Sequence, residues 1–306
     1  MKKTIIIGCL EETLDTIKCL IRRNIDINGI ITLPKYKAQG ISNWVDLTGI
    51  AEENNIPIYF AERYDLRSEA DVQLAKSLRS EALYVIGWQR LIPENVIQYF
   101  KSGTIGFHGS ANFLPWGRGR SPINWSIIEG RNRFILHMFF ITPGIDDGSV
   151  IGTEVYEITE DDTCRSLYYK TAMAQAKLIA LYDPLIKDGK CPSIPQLGEE
   201  FLYSKRTPED GKINWQNTRE NITKLVRAVT YPYPGAFSFL NGVKIMIWEC
   251  ADFGNDQILQ NKSPGEVVFV SSNELKEFVV TCKNGAVLVT NYDAKTEISE
   301  GDRFEF

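Results

Sequence analysis

Along the first two-thirds of this chain, short continuous apolar runs alternate with stretches whose apolar residues recur at helical spacing. TIIIG at 4–8, Ile27 to Leu33, Ile56 to Phe60, Ala82 to Ile86 and Gly103 to Phe107 are the runs. Between them, Glu11 to Arg22 carries Leu14, Ile17 and Leu20, and Ser42 to Asn54 carries Trp44, Leu47 and Ile50; further helices are expected at Glu69 to Ser80 and Pro93 to Phe100. A strand covered on both faces has no polar face to show, so continuous runs separated by amphipathic helices predict an α/β fold with a mainly parallel sheet between two helical layers. Phe134 to Ile141 and Val150 to Ile158 add two strands, and Asp161 to Leu181 a long helix with Asp162 or Thr163 as its cap.

After that helix the pattern changes. DGKCPSIPQLG at 188–198 is rich in Pro and Gly and reads as a linker. One helix, Thr218 to Thr230, is followed by short strands at Ala236 to Leu240, Lys244 to Cys250, Gly265 to Val270, Glu277 to Cys282 and Ala286 to Tyr292. Their even spacing and their NG and SSN turns predict a small antiparallel barrel. The expected division is a catalytic domain over 1–190, a linker over 191–208 and a barrel domain over 209–306.

Composition narrows the class. The 306 residues are 43% hydrophobic and 11% aromatic, as in a globular protein, and no apolar run approaches the length of a membrane span. The basic start is followed by too short an apolar run for a signal peptide, and the six cysteines are scattered without a CxxC pair. Free thiols in a reducing, cytoplasmic setting are therefore expected. Two histidines and no paired cysteines leave no zinc ligand set. The net charge of −5 argues against a nucleic-acid partner, although a local basic face stays open.

The candidate chemistry is concentrated between Ile105 and Ser149, which holds both histidines. His108 is expected in a loop just past a strand end, and Asp146 in a Gly/Asp turn just past another, where a fold could join them as an acid–base pair. His137, inside a strand, is expected to be structural. The loop Gly109 to Pro122 carries Arg118 and Arg120, suited to anions such as phosphate, or else is simply solvated. Trp88, Gln89, Arg90 and Leu91 follow another strand and suit a flat aromatic ligand, or cap the sheet. IIIGCLEE lacks G-x-G-x-x-G, so a dinucleotide oxidoreductase is a weak alternative.

These segments together resemble a known family. HGS at 108–110, Leu114-Pro115, RGRSPINW at 118–125 and GIDDG at 144–148 resemble the N10-formyltetrahydrofolate-dependent formyltransferases. YSKRTPEDGKINW, NITKLVRAV, YPYPGAFSFLNG and PGEVV look like the carboxyl-terminal part of methionyl-tRNA formyltransferase and its sugar-modifying relatives. The resemblance implies a Rossmann-like catalytic domain with a small barrel, and N10-formyltetrahydrofolate as co-substrate. It implies catalytic His108 and Asp146, and folate-binding loops at Trp88, Gln89, Arg90 and Leu91 and at Thr142, Gly144 and Asp146. Gly109, Ser110, Arg118, Arg120 and Arg206 become candidate substrate contacts. The family's catalytic Asn falls at Gly106, a departure, and Asn112 in the following loop is a candidate replacement. The implied acceptor is a nucleotide-linked amino sugar, with methionyl-tRNA as the alternative within the class and a non-catalytic folate- or nucleotide-binding protein as the alternative outside it. A homodimer is compatible with this reading.

Overall fold

The computed structural model describes residues 3–255 and 262–305. Its strands and helices, in chain order, are β1 Thr4–Ile7, α1 Glu11–Arg22, β2 Gly29–Thr32, α2 Thr48–Glu53, β3 Ile58–Phe60, α3 Glu69–Leu78, β4 Ala82–Val85, α4 Glu94–Ile97 and β5 Gly103–Ser110. β6 Trp116–Gly119, α5 Pro122–Ile128, β7 Arg133–Phe140, β8 Val150–Glu157, α6 Cys164–Lys187 and β9 Phe201–Tyr203 follow. The remainder is α7 Arg219–Val229, β10 Ala236–Leu240, β11 Val243–Gly254, β12 Val267–Val270, β13 Phe278–Cys282 and β14 Gly285–Asp293. Among the described residues, those up to Pro122, Arg133–Glu157 and Tyr168–Tyr203 form one compact unit. Ile123–Asn132, Ile158–Leu167 and the residues from Ser204 onward form a second.

The first unit is built on a seven-stranded sheet of order β3-β2-β1-β4-β5-β7-β8. The first five strands are parallel, and β7 and β8 are antiparallel to their neighbours. The continuous apolar runs are explained by two cores. Ile6, Ile30 and Tyr84 face a cluster with Ile17, Leu20, Leu178 and Ile179, while Ile5, Ile7 and Ile31 face another with Ala75, Leu78 and Val96. Burying each such aliphatic side chain contributes roughly 1.5–3 kcal/mol. Gly8 follows β1 at a point where a Cβ would lie 1.9 Å from the Ile86 carbonyl, so the turn into α1 can pass this close only as glycine. Thr13 seals the turn by donating to Ile86 O at 2.7 Å.

Three expectations are corrected and one is refined. β5 runs on to Ser110, because β7 pairs with it antiparallel from Ile105 to Ser110. His108 is therefore a strand residue rather than a loop residue. The helix expected from Ser42 begins only at Thr48, where Asp46 accepts from the Thr48 N–H at 2.9 Å. Trp44 instead donates its Nε1–H to Leu33 O at 3.1 Å. Trp116–Gly119 and Phe201–Tyr203, read as loop and linker, are a parallel pair, β6 with β9. Thr163, one of the two expected caps of α6, accepts from the Ser166 N–H at 3.3 Å.

The second unit holds a five-stranded antiparallel sheet, order β10-β11-β14-β13-β12. Its two edges are joined by the end of the chain. Val267 N–H donates to Asp302 O, Phe304 N–H to Gly265 O and Glu305 N–H to Phe239 O, at 2.8, 2.9 and 2.9 Å. The end of the chain thus bridges the two edge strands, as the expected small barrel requires, and covers Phe239 of β10 and Val267 of β12. Trp215 fills its interior beside Phe304 and donates to Ser238 Oγ at 3.0 Å. All six cysteines are free thiols.

Candidate active site

His108 and Asp146 meet: the ring Nδ1 lies 3.3 Å from the Asp146 carboxylate. Strand register alone would keep them apart. Phe140, the last residue of β7, pairs with Ile105, so the following loop must double back by three residues of β5, roughly 10 Å, to reach His108. The loop 141–149 has the length for this, and its composition lets it turn. Asp146 has a φ of +50°, and a Cβ on Gly148 would lie 1.6 Å from the Phe140 carbonyl. Of the two adjacent acids, Asp147 turns back to accept from the Thr142 hydroxyl. Asp146 is thus the acid presented to His108.

The second ring nitrogen of His108, Nε2, is 2.9 Å from Gly117 O in β6. Carboxylate and carbonyl are both acceptors, so protons on both nitrogens satisfy the two contacts at once, whereas a neutral ring satisfies one. His137 stands directly across from His108 in the ladder. It is buried, its Nδ1 contacts His108 O at 3.2 Å, and its Nε2 accepts from the Leu114 N–H at 3.3 Å. Burial pushes its pKa down to about 4, so the neutral ring fixes both the backbone of His108 and the loop after it. His137 is structural, as its place in a strand suggests.

Asn112 is exposed, and its Oδ1 accepts from the Phe113 N–H at 2.9 Å. No described contact links it to His108 or Asp146. At Gly106 the space is filled: a Cβ would meet Phe139 Cζ and Ile141 Cγ1, both at 3.0 Å. Gly109 and Ser110, expected among the substrate contacts, are turned into the fold. Gly109 packs on the Phe134 ring, and Ser110 donates to Trp116 O at 2.9 Å. Arg118 is tied to Gln196 Oε1 through Nε and Nη2 at 3.1 and 2.6 Å and to Glu200 at 2.7 Å, so an incoming anion would compete with a carboxylate already in place. Arg120 is exposed. Arg206 belongs to the second unit, where its guanidinium lies over Trp125 at 4.9 Å and donates to Asp210 O at 2.8 Å.

In the loop after β4, Trp88 is buried edge-on to Tyr64, while Gln89, Arg90 and Leu91 are exposed. The Arg90 guanidinium covers the Tyr64 ring at 4.7 Å. Burial raises the Tyr64 hydroxyl to about 12, and this neutral oxygen accepts from the Gln89 N–H at 3.0 Å. Sequence reasoning passed over Gly117, Gln196 and Glu200. Gln196 and Glu200 sit in or beside a Pro/Gly-rich stretch, where nothing local distinguishes a structural amide from a solvated one.

An α/β unit in which a strand His meets a loop Asp, followed by a small antiparallel barrel, is the architecture of a known enzyme class. Residues 15–181 match the model of the formyl transferase family, and residues 205–302 match that of the formyl transferase C-terminal domain. The chain belongs to the formyl transferase family. Its fold is shared by solved structures of low identity. HypX from Aquifex aeolicus in complex with tetrahydrofolic acid is 15% identical over 96% of this chain and 44% of that chain, with a TM-score of 0.69. This chain therefore spans less than half the length of HypX. The N-formyltransferase from Helicobacter canadensis, in complex with folinic acid and dTDP-3-aminofucose, is 17% identical over 96% of this chain and all of that one (100%), with a TM-score of 0.64. Methionyl-tRNA formyltransferase from Clostridium thermocellum is 19% identical over 82% of this chain and 94% of that one, with a TM-score of 0.58. Among the described residues, no helix is long and apolar enough to cross a membrane and no cluster of His, Cys, Asp and Glu could hold a metal ion.

Proposed function

We propose that this chain transfers the formyl group of N10-formyltetrahydrofolate to the amine of a nucleotide-linked amino sugar. The observation that carries the transfer reading is the His108–Asp146 pair at 3.3 Å. The sugar assignment draws support from RGRSPINW at 118–125 and from the dTDP-3-aminofucose bound by the Helicobacter enzyme. The folate fits the loop after β4. The indole N–H of Trp88 is buried without a partner among the described residues, a donor that costs about 1–3 kcal/mol unpaired. The exposed segment 89–91 beside it offers backbone groups to a heterocycle rich in acceptors.

When bound, the folate supplies the formyl carbon and the leaving nitrogen, N10. In the transfer, the amine nitrogen bonds to that carbon, the bond to N10 breaks, the amine loses a proton and N10 gains one. His108 turns its Nε2–H from the Gly117 carbonyl to the formyl oxygen as negative charge develops there. It thereby supplies the donor that the side chain missing at Gly106 would otherwise give. Asp146 holds the other face of the ring and receives the amine proton on its carboxylate. Loss of one oxyanion donor typically costs about 2.7–4 kcal/mol of barrier.

The test is mass spectrometry of reactions with N10-formyltetrahydrofolate and a panel of dTDP- and UDP-linked amino sugars, with methionyl-tRNA in parallel. The reading expects a formamide on a sugar. Formyl-methionyl-tRNA with no formylated sugar would move the assignment to the tRNA enzymes, and folate binding without turnover would favour the non-catalytic alternative. Sedimentation of the same sample checks the homodimer.

A further inference from the structure

We propose that Gln196 is a positioning residue that holds Asp146 against His108, resting on the reading of those two as the working pair. Asp146 is awkward to hold. It is a non-glycine residue in the left-handed region, at φ +50°, a conformation that side chains seldom adopt without local support. Its loop has also doubled back from β7. The side-chain amide of Gln196 spans that bend, because Nε2 donates to Asp146 O at 2.7 Å and to Gly148 O at 2.8 Å. The two amide protons thus fix the carbonyls on either side of the turn and set the direction of the Asp146 side chain between them.

Gln196 is itself fixed. Its Oε1 accepts both the Nε and Nη2 protons of Arg118, whose Nη1 is held by Glu200. The surrounding segment is tied down at both ends: Ile194 and Val150 exchange two backbone hydrogen bonds at 2.8 Å, and β9 pairs with β6. β6 also carries Gly117, whose carbonyl meets His108 Nε2. A single stretch, 194–203, therefore supports the acid through a side chain and the histidine through a strand. Residues of this kind set catalytic geometry within fractions of an ångström without touching substrate.

The experiment compares wild type, Gln196→Ala, Gln196→Glu, Asp146→Asn and the double variant Gln196→Ala/Asp146→Asn. Gln196→Glu keeps an acceptor for Arg118 and removes the two donors to the loop, so it stays informative if the alanine variant folds poorly. In both Gln196 variants kcat is expected to fall about tenfold or more with KM for either substrate little changed. In the Asp146→Asn background Gln196→Ala adds almost nothing, because residues acting through one another are not additive. A second readout needs no substrate. The chain has two histidines, so 15N NMR resolves the His108 ring once His137 is assigned from a His137→Gln sample. Gln196→Ala and Asp146→Asn should move the His108 ring nitrogens alike, and the double variant no further. An unchanged kcat, equal losses in both backgrounds, or unmoved His108 signals in Gln196→Ala would overturn the proposal. If wild type transfers no formyl group, the proposed function fails, and the NMR comparison still decides the role of Gln196.

Discussion

The imidazole of His137 donates its Nδ1–H to the backbone carbonyl of His108 at 3.2 Å. Of two histidines paired across one ladder, one is spent holding the other in place. That division rests on burial, which keeps the His137 ring neutral and its pKa at about 4, against an ordinary value of 6.5.

A stability prediction follows from that shift. Between pH 6.5 and 4 the unfolded chain protonates at His137 and the folded chain does not, so stability rises with pH there. The contribution is complete above about 6.5 and is lost as pH falls to about 4, by about 3 kcal/mol if His137 acts alone. Urea denaturation at intervals from pH 7.5 to 4 should show the slope, and His137→Gln should remove that component. An identical slope in the variant would assign it to other groups.

His108→Asn and Asp146→Asn should each lower kcat by roughly 100-fold or more, with a smaller change in folate affinity, because positioned acid–base groups contribute about 10² to 10⁴. Near-wild-type turnover in either folded variant removes that residue from the chemistry.

Restoring the family's asparagine should not help. A Cβ at Gly106 already meets Phe139 and Ile141 at 3.0 Å, and an amide beyond it would be forced among apolar groups. Overpacking of this kind costs about 1–3 kcal/mol. Gly106→Asn is expected to melt a few degrees lower and to turn over no faster than wild type. A variant both stable and faster would show that the space opens in solution.

Gly148→Ala tests the bend that carries Asp146. With 1.6 Å between the new Cβ and the Phe140 carbonyl, the backbone has to move, and the carboxylate moves with it. The expected result is a kcat loss approaching that of Asp146→Asn with the barrel unaffected, measured by steady-state kinetics alongside amide exchange in β10 to β14.

Much of this protein is local and therefore legible in the chain. The two apolar faces of β1 follow from TIIIG, the alternation of strands and helices from the periodicity, and the barrel from its turns. His108 and Asp146 were findable because loop-forming glycines and a charged pair of residues stand out beside strand ends. What the chain did not reveal depends on partners distant in sequence. β5 is three residues longer than its apolar run because β7 pairs with it, and a backbone ladder leaves no signature in side chains. Gly106 reads as a vacancy in a motif, and only packing shows that Phe139 and Ile141 occupy it. Gln196 lies in a stretch whose composition says linker, yet its amide finds Asp146 and Gly148 some fifty residues back along the chain. Sequence by itself determined most of the strands and helices and singled out His108 and Asp146 as candidates, because both follow from side-chain type and short-range spacing. Tertiary structure alone decided which acid faces His108 and what holds it there, because those contacts exist only once the loop has folded back.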